Sequence, residues 1–338
     1  MNIERPTRFI CNTPVWGKTY TQLFLEVALP SLLAKGNLPA LKTSAVFQIY
    51  TTPKDAECIR MSDVYRELLA LIPVEFHYIK ESLDEPIPYQ AMSHCHRLAI
   101  EAADKENAAL IFLHPDCIMA EGSLAHAENC ILEGKRVVAI TGIRLALEKV
   151  IPLLAPHYNS QGRLRIMPKE LVKLAINNLH PITAKQMWEN RQHIGIVPYN
   201  LFWKVGEEGL LGRCFSLHPL MVFPRKKHMH FDHTIDQDYV KNACPDFNEH
   251  HIVADSEKIF MCELTPESRN VYGYVNCSVD NLVQFALHST NELLQFHTKT
   301  PIRLHCGYQT ESLWKEAEAK AESLMKQVFD KLKLFAKT

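Results

Sequence analysis

The chain has no Cys-x-x-Cys pair, no basic excess, no apolar run near the length of a membrane span, and no repeats or low-complexity tracts. Each absence removes a class of protein. Cys11, Cys58, Cys95, Cys117, Cys130, Cys214, Cys244, Cys262, Cys277 and Cys306 are scattered, and a chain of 338 residues needs no disulfide staples. Buried free thiols in a reducing cytoplasm are therefore expected. The 37 Lys and Arg against 38 Asp and Glu argue against general nucleic-acid binding. Without roughly 20 consecutive apolar residues, no membrane-spanning helix is expected. The start, Met1-Asn2-Ile3-Glu4-Arg5-Pro6, lacks the apolar centre of a secretory leader. A soluble, cytoplasmic protein is the expectation.

What is present is a strand-helix alternation. Strands are expected at 8–12, 45–50, 74–79, 108–113 and 136–141, and helices at 20–35, 64–72, 89–103 and 123–133. In the first helix Leu23, Phe24, Val27, Leu29, Leu32 and Leu33 share one face, and Pro30 is expected to kink or restart it. Repeated β-α-β units predict an α/β fold with a mostly parallel, doubly wound sheet flanked by helices. After about residue 150 the rhythm changes. A helix over 170–178 and loops are expected up to 215, with strand-like segments at 217–223 and 251–255. The tail, 313–337, is an amphipathic helix with Leu313, Ala317, Ala321, Leu324, Val328 and Leu332 on one face. It reads as a C-terminal helical extension packed on the body, with peripheral membrane contact or a dimer face as the alternatives. The expected division is 1–265 and 266–338.

The most informative stretch is Ala108 to Leu124. A buried apolar strand ends at His114-Pro115-Asp116, and Glu121-Gly122-Ser123 then opens a helix. In parallel α/β sheets ligands bind beyond the carboxyl ends of strands, so an acid there is well placed for chemistry. The layout resembles the nucleotide-sugar glycosyltransferases of the GT-A type, whose central strand ends in Asp-x-Asp before a small-residue turn. Here His114 stands at the first acid and Asp116 at the second. The likeness covers roughly residues 7–260. Thr13-Pro14-Val15-Trp16 and the stretch from Phe231 to Asp238 also resemble bacterial glycosyltransferase-like proteins.

The resemblance implies a donor site and an acceptor base. Asp116 is the candidate ligand for Mn²⁺ or Mg²⁺, with His114 as a substitute ligand or a donor to phosphate; the plain alternative is that Asp116 only caps its turn. Thr13, Pro14 and Trp16 after the first strand, with Thr51 and Thr52 after the second, are candidate contacts for the base and ribose. Arg97 or His94 could reach phosphate or sugar, whereas His94 and His96, two apart, are not expected to share one helical face. Asp236 and Asp238 are candidate acceptor bases, against the alternative that Asp236 caps a helix. His228, His230, Asp232 and His233 also admit a metal-hydrolase reading, although Arg225, Lys226 and Lys227 beside them disfavour a cation; that basic triplet could instead meet the diphosphate. His218-Pro219 repeats His114-Pro115 and His180-Pro181, and His218 could line the same cleft. Trp188, Tyr199 and Trp203 could form a sugar platform or belong to the core.

Three readings result. The leading one is a glycosyltransferase moving a sugar from a nucleotide diphosphate to a glycan, protein or small-molecule acceptor. The second is a catalytically silent GT-A-like binding protein, favoured by His114 in place of an acid. The third is a His-rich metal hydrolase, which predicts tightly held zinc.

Overall fold

The computed structural model describes residues 3–79, 88–189, 194–195, 199–227, 234–269, 274–275, 277–308 and 310–335. In chain order the strands are β1 (Phe9–Pro14), β2 (Ala45–Thr51), β3 (Val74–Tyr78), β4 (Ala109–Phe112), β5 (Cys117–Met119), β6 (Val137–Ile140), β7 (Ile143–Ala146), β8 (Ile194–Gly195), β9 (Asn200–Val205), β10 (Gly209–Cys214), β11 (His218–Val222), β12 (His250–Ile252), β13 (Met261–Thr265), β14 (Tyr274–Val275) and β15 (Ile302–His305). They fall into two compact units interleaved along the chain. The first holds Met1–Ile140, Leu154–Met167 and His218–His251; the second holds Thr141–Leu153, Pro168–Leu217 and Ile252–Thr338. Residues 266–338 all lie in the second unit.

The first unit is built on a seven-stranded sheet of order β12-β6-β11-β4-β1-β2-β3. β1 pairs in parallel with β2 and β4, and β2 with β3. Every residue of β1, β2 and β4 is buried, as strands covered by helices on both faces should be. This is the expected mostly parallel, helix-flanked α/β fold. β11 breaks the rule, running antiparallel between β4 and β6. The chain leaves β1 on one side for β2 and β3 and returns on the other for β4. The sheet therefore reverses its winding between β1 and β4, the position at which sheets of this kind bind ligands.

Pro30 does not end its helix. Residues Lys18–Leu23, Phe24–Ala28 and Leu29–Leu32 run on as α, π and α segments, and Leu29 N–H reaches back to the Phe24 carbonyl. Pro30 has no N–H to give the Glu26 carbonyl, and the Tyr158 hydroxyl donates to it instead. Ser31 and Asn37, both fully buried, then hold the segment beyond β4 in place. The Ser31 hydroxyl accepts from Met119 N–H at 3.1 Å, and Asn37 Oδ1 accepts from Leu124 N–H at 3.2 Å at the start of helix Ser123–Leu132.

The second unit carries an antiparallel sheet, β15-β10-β9, and a parallel pair, β7 with β13. Helix Glu311–Phe335 packs Trp314, Ala317, Ala321, Leu324, Met325 and Val328 against Trp203, Val205 and Leu211. The buried face of this helix is turned slightly from the expected one: Trp314 is buried where Leu313 was expected, and Leu313 is 40% exposed. The extension is also not wholly helical, because it contributes β14 and β15. Among the described residues, no helix is long and apolar enough to cross a membrane. All ten thiols are free, and only Cys58 is exposed.

Candidate functional site

The ends of β1 and β4 are locked side by side. Asn12 stands opposite Phe112, and Leu113 N–H donates to the Asn12 carbonyl at 2.9 Å. Directly beyond, the turn His114-Pro115-Asp116-Cys117 carries one potential ligand atom on each of His114, Asp116 and Cys117, all within 4.8 Å of one another. His114 and Asp116 are half-buried and Cys117 is buried. Pro115 fixes its own φ inside this turn, which limits the conformations in which the three groups can part.

Antiparallel β11 brings a second imidazole. Its pairs Met221↔Ile111 and Val222↔Leu110 set it beside β4, and His218 at its start reaches His114. The two rings meet edge to face, 4.5 Å apart at 75°. His218 Nε2 lies 2.9 Å from the Phe112 carbonyl, which can only accept, so Nε2 donates. Two of the three His-Pro pairs therefore meet. The third, His180, lies in the second unit, where Nδ1 accepts from Ile182 N–H and Nε2 donates to the Pro266 carbonyl.

A third imidazole sits beneath. His96, on helix Pro88–Glu106, is 2% exposed, and its ring stands edge-on to Phe112 at 5.2 Å. Its Nδ1 has no hydrogen-bond partner among the described residues. Burial, reinforced by His114, His218 and Arg97, lowers its pKa from 6.5 to about 3. His94, two residues earlier, is exposed, so the pair does not share a face. The shift has a consequence for stability. Between pH 6.5 and about 3 the unfolded chain takes up a proton that folded His96 refuses. Stability present above pH 6.5 is therefore lost on acidification, at up to about 1.4 kcal/mol per pH unit from this group. Burial shifts His180 and His250 the same way. Urea midpoints at pH 7.5 and 5 are expected to converge in His96→Phe relative to the wild type.

At the β1–β2 edge two hydroxyls stand out. Thr13 and Thr51 are both fully buried, and neither Oγ1 has a hydrogen-bond partner among the described residues. An unpaired buried hydroxyl costs stability, and a ligand can relieve that cost. Thr52 differs: its hydroxyl donates to Asp55 Oδ2 at 2.9 Å and accepts from Asp55 N–H, capping helix Pro53–Met61. The same Asp55 oxygen accepts from Gly17 N–H at 2.9 Å, tying the two strand-end loops together. Pro14 is buried at the end of β1, and Trp16 is half-buried beyond it.

The remaining expected residues are dispersed. Asp236 and Asp238 are half-buried in the single turn Ile235–Tyr239, which no side chain of Thr234 caps. Tyr239 carries that turn to β4, its ring edge-on to Phe112 at 6.4 Å. Arg97 is half-buried one residue from His96. Arg225 is held by Glu249, and Lys226 and Lys227 are exposed. His228, His230, Asp232 and His233 lie outside the described residues. In the second unit Trp203 is core and offers a sugar no open face, Trp188 is half-buried against that cluster, and Tyr199 is 45% exposed.

The donor set bears on the metal. Mg²⁺ and Mn²⁺ favour oxygen ligands, whereas this turn offers one carboxylate, one imidazole and one thiol. These residues do not fit a resident hard cation.

No protein-family model and no curated protein matches the chain. Among solved structures it is similar to S. aureus TarS, over 86% of this chain and 39% of that one, at 13% identity and a TM-score of 0.32. It is similar to residues 1–349 of TarS over 50% and 56% of the two chains, at 14% identity and a TM-score of 0.28. It also overlaps a Bacillus anthracis protein provisionally assigned as a glucose-1-phosphate thymidylyltransferase, over 40% and 55%, at 12% identity and a TM-score of 0.24. The chain thus spans between 39% and 56% of the length of these structures. Overlaps of this size carry no functional inference; the side chains at the strand ends must do so.

Proposed function

We infer that the chain is a transferase acting on a nucleotide-diphosphate sugar. The donor's base and ribose enter at the carboxyl ends of β1 and β2, and its diphosphate end points to the turn after β4. The observation that carries this reading is the pair of fully buried hydroxyls, Thr13 and Thr51, unpartnered among the described residues, on β1 at the point where the sheet reverses its winding and on its neighbour β2. A nucleoside supplies the missing partners in hydroxyls and ring nitrogens, and Trp16 offers a face for the base. The acceptor hydroxyl gives its proton to Asp236 or Asp238 as the new glycosidic bond forms. The silent binding protein stays as a second reading because His114 stands where the resembled enzymes carry an acid.

Thermal stabilisation by UDP, GDP, CMP and their sugar conjugates tests the donor site. At a hundredfold excess over Kd, a ligand of the folded state contributes about 2.7 kcal/mol. Thr13→Val and Thr51→Val sharpen the test, because each keeps the shape while removing an unpaired hydroxyl. Both variants are expected to be at least as stable as the wild type without ligand, yet to bind the preferred nucleotide roughly five- to tenfold more weakly, about 1 kcal/mol per lost hydrogen bond. A flat response to every nucleotide overturns the reading.

A further inference from the structure

We propose that His114, Asp116 and Cys117 form a site for a late first-row divalent cation of the zinc type, with a fourth position left for an exogenous ligand. Three donors of three kinds come from one four-residue turn, and their ligand atoms lie within 4.8 Å of one another. With zinc distances of about 2.0–2.3 Å, the edges of a tetrahedron are roughly 3.3–3.8 Å. Small side-chain rotations about a fixed turn close the remaining gap. Thiolate and imidazole select zinc-type ions, which a hard, oxygen-seeking cation does not match. Among the described residues, three protein donors leave zinc one position short of its usual four, the arrangement of an ion that also engages a ligand.

The surroundings support the set. His218 packs edge to face on the His114 ring while its own Nε2–H is held by the Phe112 carbonyl, which orients His114 from outside the ligand shell. Cys117 is 5% exposed, so its sulfur is shielded from bulk oxidants. Ser31 holds the backbone at Met119, two residues after Cys117, and fixes where the turn ends. The assignment is independent of the donor reading: it concerns which ion binds, with or without a nucleotide.

The full-length chain, dialysed against Zn²⁺ and Mn²⁺ at equal concentration and then desalted, is expected to retain zinc and release manganese. Loaded with Co²⁺, it is expected to show a thiolate-to-cobalt charge-transfer band. Cys117→Ser is expected to lose that band and weaken zinc at least roughly tenfold, since outer-shell changes alone cost ten- to a hundredfold. Cys58→Ser, which alters the exposed thiol, is expected to change neither. If Cys117→Ser does not fold, His114→Gln, at a half-buried position, is read by the same zinc measurement. Manganese held in preference to zinc overturns the assignment. So does zinc retained equally by Cys117→Ser and His114→Gln, which places the ion on other residues. Nucleotide stabilisation without zinc binding rejects the metal assignment alone, and zinc binding without a nucleotide response rejects the donor reading alone.

Discussion

Gly36→Ala is expected to destabilise the first unit by about 3 kcal/mol or more, in the range of the severe backbone clashes among single substitutions. A Cβ built on Gly36 stands 2.4 Å from Gly122 N and 2.6 Å from Gly122 Cα. Those are backbone atoms at the start of helix Ser123–Leu132, so no side chain can swing aside. The two segments are also bonded where they touch. The Gly36 carbonyl accepts from Ala125 N–H, and Asn37 Oδ1 accepts from Leu124 N–H. Relief of the clash must therefore break these bonds or shift the helix from the end of β4. Gly36 has no left-handed backbone, so the loss is steric rather than conformational. Gly142→Ala is the control: its Cβ meets nothing within 4 Å and its φ is ordinary. That variant is expected to remain within about 0.5 kcal/mol of wild type or to gain slightly, by reducing unfolded-state freedom. Urea unfolding followed by circular dichroism separates the two, with only Gly36→Ala moving the midpoint strongly downward.

This contact also gives a reason for a feature visible in the sequence. The Glu121-Gly122-Ser123 turn after the central strand was legible as a helix start, but not as a place where two backbones touch. The first 140 residues were readable because strands buried on both faces leave apolar runs, and helices separate them with a different period. Direction was not readable. The apolar run of β11 is the same whether it joins its neighbours in parallel or antiparallel, so its place between β4 and β6 depended on long-range pairing. The β9–β10 hairpin was hidden for a related reason. All of β9 except Lys204 is buried, so the alternation that marks a half-exposed strand never appears. Helix Pro53–Met61 buries only Ala56 and Ile59, too little for an apolar stripe, although its Thr52-Pro53-Lys54-Asp55 start carries the cap signal.

The same cap signal could have separated two candidates that the sequence treated alike. Thr52 uses its hydroxyl on Asp55 three residues later, and Thr51 does not. Cys117 was overlooked because ten scattered cysteines invite a single explanation. Its position next to Asp116, in a turn begun by His114, was the available clue. His218 could not be placed from spacing alone, since it lies 104 positions after His114 and meets it because β11 pairs beside β4.

Asp116→Asn is expected to lower transfer on the order of a hundred- to a thousandfold with little change in the urea midpoint, if the donor reading and the zinc-type assignment both hold. The charge is what changes: Asn keeps the size and polarity of the side chain but holds the cation proposed at His114, Asp116 and Cys117 less well, and that cation is what would offset the leaving diphosphate. Because that loss concerns the donor's leaving end, it is expected in donor hydrolysis as well as in transfer. Asp236→Asn and Asp238→Asn serve as the contrast. A lost acceptor base lowers kcat by roughly a hundred- to ten-thousandfold while leaving donor binding in place, and donor hydrolysis, which needs no acceptor, falls less. One of the two is expected to show that split and the other to remain near wild type, which separates two residues that lie in the same turn. If both variants weaken donor binding and transfer equally, the turn Ile235–Tyr239 belongs to the donor site instead. If the wild type binds a nucleotide but turns over no donor conjugate, His114 has taken the place of an acid in a chain that retains recognition without transfer.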